Sequence, residues 1–158
     1  LFSYLKRMDD GRPAIILEQP VVNWRWTRGY VENVAAAISA LAGDQNSAGR
    51  IYNVGELSGL TEFEWITSIA AEAGWKGQII AVEPADLPEK MRSKLSWQYH
   101  LETDTSLIRS VKGFSDPVSF SEGLRKTIQW ERLNPPLEIK PEDFDYTAED
   151  RVLAVVRG

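Results

Sequence analysis

Cysteine is absent from the 158 residues, which excludes a disulfide framework, thiol catalysis and cysteine-bound zinc, and matches cytoplasmic usage. Histidine occurs once, as His100. No Gly-x-Gly occurs, so neither the dinucleotide fingerprint nor the Walker loop can be built from this stretch. No apolar run approaches the roughly 18 residues of a membrane span, and no signal-peptide pattern opens the chain. An excess of positive charge is also lacking. The formal net charge is −5, the wrong sign for displacing counterions from nucleic acid. The charge is uneven, however. Residues 1–30 hold five basic side chains (Lys6, Arg7, Arg12, Arg25, Arg28) against three acidic ones (Asp9, Asp10, Glu18), a balance of +2 that leaves −7 for the rest. A local basic pocket for a small anion fits this distribution; a polyanion surface does not.

What is present is one domain's worth of chain, 43% hydrophobic and 26% charged. Its opening Leu-Phe-Ser-Tyr-Leu reads as the continuation of something longer. Leu1, Tyr4, Leu5 and Met8 fall at helical spacing, and Asp9 to Pro13 is turn chemistry. Ala14 to Leu17 predicts a short strand, and Val21 to Arg28 is β-prone. From Val31 the period becomes 3.6, with Val31, Val34, Ala35, Ile38, Leu41 and Ala42 on one stripe ended by Gly43. Ile51 to Val54 predicts a second strand. Thr61 and Glu64 form a capping box opening a helix that carries Phe63, Ile66, Ala70 and Ala73 on one face and stops at Gly74. Gln78 to Val82 predicts a third strand. Helices are expected from about Pro88 to Leu95, from Asp104 through Val111 with Gly113 as stop, from the Ser119–Glu122 capping box through Trp130, and over Thr147 to Val156. The acidic run from Pro141 to Asp150 reads as a solvated linker. No internal repeat is present. Strands alternating with helices in the first half make this an α/β protein.

Chemistry-bearing residues are few. Extended, His100, Glu102 and Asp104 would share a face able to ligate a metal, but a polar loop leading to a helix cap at Asp104 is the simpler reading. Trp65, Trp75 and Trp130 lie in or beside amphipathic helices and read as packing. Trp24 and Trp26 alternate with Arg25, and strand geometry puts Arg28 on the tryptophan side. Two readings stay open there. In one, the tryptophans seal a core and both arginines are solvated. In the other, Arg25 or Arg28 aims a guanidinium at an anion near the N-terminus of the following helix.

Five stretches, in order, carry a resemblance: RWTRGYVENVAAAI, GRIYNVGE, TEFEWITSIAAEAG, DTSLIRSVKGF and SFSEGLRKTIQW. Together they resemble the C-terminal half of an NAD-dependent epimerase/dehydratase of the extended short-chain dehydrogenase/reductase superfamily, over about residues 1–134. The resemblance implies the C-terminal part of a Rossmann-like fold, with few short strands and amphipathic helices. It implies that residues 1–136 are a substrate-side lobe, with 137–158 an acidic linker and C-terminal helix. The family's catalytic Tyr-x-x-x-Lys is absent, since none of Tyr4, Tyr30, Tyr52, Tyr99 and Tyr146 has lysine four residues on.

From the resemblance, no catalytic, cofactor-binding or metal residue is expected in this chain; NAD or NADP would belong to the full-length parent. Substrate-binding roles carry over to Arg25 or Arg28, and to Arg92 as the arginine nearest the place of the family's second phosphate contact. Two departures bear on this. Trp26 stands where the first arginine usually falls, and Glu83 to Pro88 replaces the usual Arg-x-Gly-Asp. Asn53 is expected to be structural. The expected partner is a small substrate, phosphorylated or nucleotide-linked, with no nucleic acid and no membrane. Homo-oligomers are expected through the Ile51–Val54 edge. The alternatives are a non-enzymatic, dinucleotide-sensing or regulatory relative, and an independent α/β binding module.

Overall fold

The computed structural model describes residues 1–111 and 114–157. Its elements run α1 (Phe2–Asp9), β1 (Ala14–Glu18), β2 (Arg25–Trp26), α2 (Val31–Gly43), β3 (Leu60–Thr61), α3 (Glu62–Ala73), β4 (Gln78–Val82), α4 (Ser106–Arg109), α5 (Phe120–Leu133) and α6 (Tyr146–Arg157). Contacts divide the chain into two units. The first comprises Leu1–Trp24, Thr61–Tyr99 and the chain from Ile128; the second comprises Arg25–Leu60 and His100–Thr127.

In the first unit β1 and β4 pair in parallel, from Ala14 opposite Gln78 to Glu18 opposite Val82. Parallel pairing demands a long crossover between the strands, and more than fifty residues separate these two. Ala14, Ile15 and Leu17 are buried. Val82 and Leu87 pack with Val152 of α6, joined by Ile16, Ile80 and Met91. The capping box forms as predicted: the Thr61 hydroxyl accepts from Glu64 N at 3.0 Å, and the Glu64 carboxylate accepts from Thr61 N at 2.8 Å. Gly74 ends α3 at φ 74°, a left-handed conformation that favours glycine.

Part of the acidic run of residues 141–150 is ion-paired, while Glu142 and Asp143 stay exposed. Glu149 is 4% exposed, with Arg7 Nη2 at 2.7 Å and Arg12 Nε at 3.5 Å. Arg12 also pairs with Asp150, Lys90 with Asp145, and Tyr146 donates to Asp10 at 2.5 Å. Asp145 caps α6 by accepting from Ala148 N at 3.0 Å.

In the second unit Ala37 of α2 packs against Ile108 and Val111, with Leu41, Tyr52, Val54 and Phe114 around them. Asn33 is buried, and its amide clamps the Val118 backbone from both sides, donating to the carbonyl at 2.8 Å and accepting from the N–H at 3.0 Å.

Five expectations need correction. The buried face of α2 is not the predicted stripe, for Val31 and Ile38 are 70% and 61% exposed while Asn33 and Ala37 are buried. Small residues let α2 approach Ile108 and Val111, and Val31 and Ile38 stay outside. Ile51 to Val54 is not a strand, because among the described residues no backbone pairs with it; Ile51 is 89% exposed. Pro88 to Leu95 yields only a single 3-10 turn, Glu89–Met91, flanked by extended Pro88 and Arg92, too short to repay helix nucleation. Val21 to Arg28 holds only the two-residue β2 after a 3-10 turn at Gln19–Val21. The buried face of α3 is shifted as well: Ile66 and Ile69 are covered, while Phe63 is 42% exposed. Gly113, the expected stop after α4, lies outside the described residues.

Candidate functional site: the Arg25–Arg28 segment

The segment carrying Arg25 and Arg28 is fixed along its backbone. Arg25 O accepts from Leu101 N at 2.8 Å, and Thr27 N donates to Leu101 O at 3.1 Å, forming a parallel bridge at Trp26. Thr103 N donates to the Thr27 hydroxyl at 2.8 Å. Arg28 O accepts from Glu56 N at 2.7 Å. Gly55 is required beside it, since a Cβ there would lie 2.5 Å from Thr27 Cγ2 and 2.8 Å from Arg28 O.

The two arginines do different things. Arg25 Nη1 donates to Gly59 O at 2.7 Å, tying the guanidinium into its own unit. The Arg28 guanidinium lies over the Trp26 ring, 4.5 Å from its centroid, the tryptophan-side placement that strand alternation predicts. Trp24, in the first unit, instead packs edge-on against Trp97, with centroids 4.9 Å apart, and donates to Tyr99 O at 2.8 Å. Arg92 also belongs to the first unit, and its Nε and Nη2 donate to Leu87 O at 2.8 Å and Ala85 O at 3.4 Å.

Around the segment, His100 Nδ1 accepts from Arg25 N at 3.2 Å, which leaves the ring proton on Nε2. Asp104 Oδ1 accepts from Ser106 N at 2.8 Å, and these bonds lower its pKa. Asn53 Nδ2 donates to Asp104 O at 3.1 Å, a backbone-tying role. Among the described residues no three His, Cys, Asp or Glu side chains gather to hold a metal.

Sequence reasoning missed Arg109. Its Nη2 donates to Gly55 O at 2.9 Å and to Asp116 Oδ2 at 2.8 Å, and its Nη1 to Thr105 Oγ1 at 2.8 Å. No local signal marks it, because its acceptors come from three separate stretches. Beside it, burial raises the Glu56 carboxyl, Asp116 adds to the rise, and Arg109 opposes it. Glu56 lines a cavity of about 170 Å³ with Leu57, Ser58, Leu60 and Phe120.

Tyr30 deserves comparison with a proton-transfer tyrosine, because Lys126 lies 6.0 Å from its ring. Its hydroxyl donates to Glu32 at 2.8 Å, and that bond holds its pKa up, opposite to what a catalytic base needs. Nor do the described residues form a dinucleotide cradle. β1 runs into Pro20 and β4 into Pro84, each in a 3-10 turn, where a glycine turn onto a helix N-terminus would be needed.

Three solved structures share the arrangement of elements. An epimerase of Methanothermobacter thermautotrophicus superposes with a TM-score of 0.60 at 16% identity, over 83% of this chain and 36% of its own. RMD of Pseudomonas aeruginosa, complexed with NADPH, gives 0.59 at 17%, over 84% and 41%. UDP-glucose 4-epimerase of Thermus thermophilus, complexed with NAD, gives 0.57 at 22%, over 82% and 38%.

The chain carries part of the fold that these three structures share.

In sequence, the epimerase/dehydratase likeness includes a dTDP-glucose 4,6-dehydratase of Streptomyces niveus, 30% identical over 89 residues. Those residues are 55% of this chain and 24% of that dehydratase. No family model matches. The chain therefore spans less than half the length of these four proteins. The expected α/β, Rossmann-like class is borne out.

Proposed function

We propose that this chain is the substrate-binding, C-terminal portion of an NAD(P)-dependent epimerase, dehydratase or reductase, and that it does not turn over substrate alone. The observation that carries the reading is Arg28 lying over Trp26, on a backbone held at Gly55–Glu56 and Leu101–Thr103. A guanidinium pre-positioned against an aromatic face loses little freedom on meeting a phosphate or carboxylate, which suits a phosphorylated or nucleotide-linked substrate. Arg25, tied to Gly59 O, adds a second positive charge to the same segment. Arg92, in the first unit, is a separate candidate anion contact, with Nε and Nη2 bonded to backbone carbonyls. The missing Tyr-x-x-x-Lys and the missing dinucleotide cradle support a role without catalysis or cofactor in this chain. Self-association is part of the proposal, because neither β1 nor β4 has a second neighbour among the described residues.

The test is isothermal titration with NAD, NADP and a panel of nucleotide sugars, on the wild type and on Arg25→Ala and Arg28→Ala. The expected result is silence toward dinucleotide and binding of one phosphorylated ligand that Arg28→Ala weakens about tenfold or more. Tight dinucleotide binding would overturn the reading.

A further inference from the structure

A second cationic feature lies in the first unit, built from residues that the Arg25–Arg28 reading does not use. An open cleft of about 550 Å³ is lined by Arg12, Trp75, Lys76, Gly77, Gln78 and Arg157, with the turn at Gly11 and Pro13. Three cations line it and no acidic residue does. Arg12 is neutralised behind the wall by Glu149 and Asp150. Among the described residues Lys76 and Arg157 have no ion pair, and Arg157 donates to the neutral Gln78 amide oxygen at 3.5 Å. Two uncompensated positive charges thus share one concave surface of a chain whose net charge is −5.

The wall between them is rigid. Trp75 Nε1 donates to Arg12 O at 2.8 Å, and the indole crosses Gly77 so closely that a Cβ there would meet Trp75 Cζ2 at 2.1 Å and Pro13 O at 2.7 Å. Gly77 has to be glycine for the ring to lie there. Arg157 in the last turn of α6 also complements the helix dipole, but that explains nothing about Lys76, which lies in the loop entering β4.

We propose that this cleft binds a phosphate dianion, free or as the phosphoryl group of a small molecule. Two cations facing one concavity match a doubly charged ligand, and the locked indole gives a flat apolar surface for the group that carries the phosphate. This site stands independently of the proposed function.

The test is two-dimensional ¹⁵N NMR of the whole chain, following the Gly77 amide and the Trp75 indole during titration with inorganic phosphate, AMP, and sodium chloride and acetate at matched ionic strength. The expected result is a saturable shift of both signals with phosphate, weakened about fivefold by Lys76→Ala and by Arg157→Ala, and unchanged by Arg25→Ala. Both variants remove exposed side chains, so folding is retained. Tighter binding of AMP than of phosphate assigns the ligand as a phosphorylated small molecule; equal binding assigns free phosphate. Equal shifts with acetate or chloride, no saturable shift, or shifts indifferent to Lys76 and Arg157 would overturn the proposal.

Discussion

Replacing Glu149 by alanine removes the anion around which α6 is held. The carboxylate is 5% exposed and faces Arg7 at 2.7 Å and Arg12 at 3.5 Å, whose side chains are 18% and 12% exposed. Breaking a buried ion pair from one side costs about 3–5 kcal/mol, because the remaining charge stays desolvated. Here the cost is smaller, since both guanidinia keep other acceptors. Arg7 retains Ser3 O at 3.0 Å and Asp143 O at 2.8 Å, and Arg12 retains Asp150. The expected loss is therefore about 2–3 kcal/mol, or a fall in Tm of about 4–12 °C for a chain of this size. Because Val152 of α6 closes over Val82 and Leu87, the loss should appear first as faster amide exchange along α6 and then in urea denaturation. Glu149→Gln keeps an acceptor for Arg7 and should cost about half as much. An alanine variant within about 0.5 kcal/mol of wild type, with α6 protection unchanged, would refute the view that buried charge, rather than Val152 packing alone, holds this helix.

Three further outcomes follow from the second unit. Asn33→Ala leaves the N–H and carbonyl of Val118 without their partners and should cost about 2–4 kcal/mol in urea denaturation. Val31→Ala, two residues away on the same helix but 70% exposed, should change stability by less than about 0.5 kcal/mol; the reverse order would show that the α2 face is wrongly assigned. The Glu56 carboxyl is raised in the folded chain, so folding takes up a proton, and stability falls as pH rises from its ordinary value of 4.5 through the raised one. Glu56→Gln should therefore be more stable than wild type near neutral pH, by a few tenths of a kcal/mol for a half-exposed group. That advantage should vanish below about pH 4, and an advantage independent of pH would contradict the assignment.

Local chemistry in the sequence determined a good deal. The Thr61–Glu64 box, the Gly74 stop, the turn at Gly11 and the helix ending near Val156 each depend on residues within a few positions of one another. Their hydrogen bonds close locally, so their pattern is legible without the fold. Part of the site was legible for the same reason: alternation over Trp26 and Arg28 anticipates their contact. What depends on distant partners was not. The face of α2 that is buried was decided by Ile108 and Val111, some seventy positions away, and an apolar stripe by itself cannot say which side finds a neighbour. Ile51 to Val54 has strand composition but, among the described residues, no backbone to pair with, and a strand exists only through its partner. Arg109 became a hub because Gly55, Thr105 and Asp116 converge on it, and part of the acidic run became an ion-paired anchor because Arg7, Arg12 and Lys90 were brought to meet it. Hydrogen-bonded caps and turns act over a few residues, whereas charge pairing and burial act through space, and only the tertiary structure supplies that geometry.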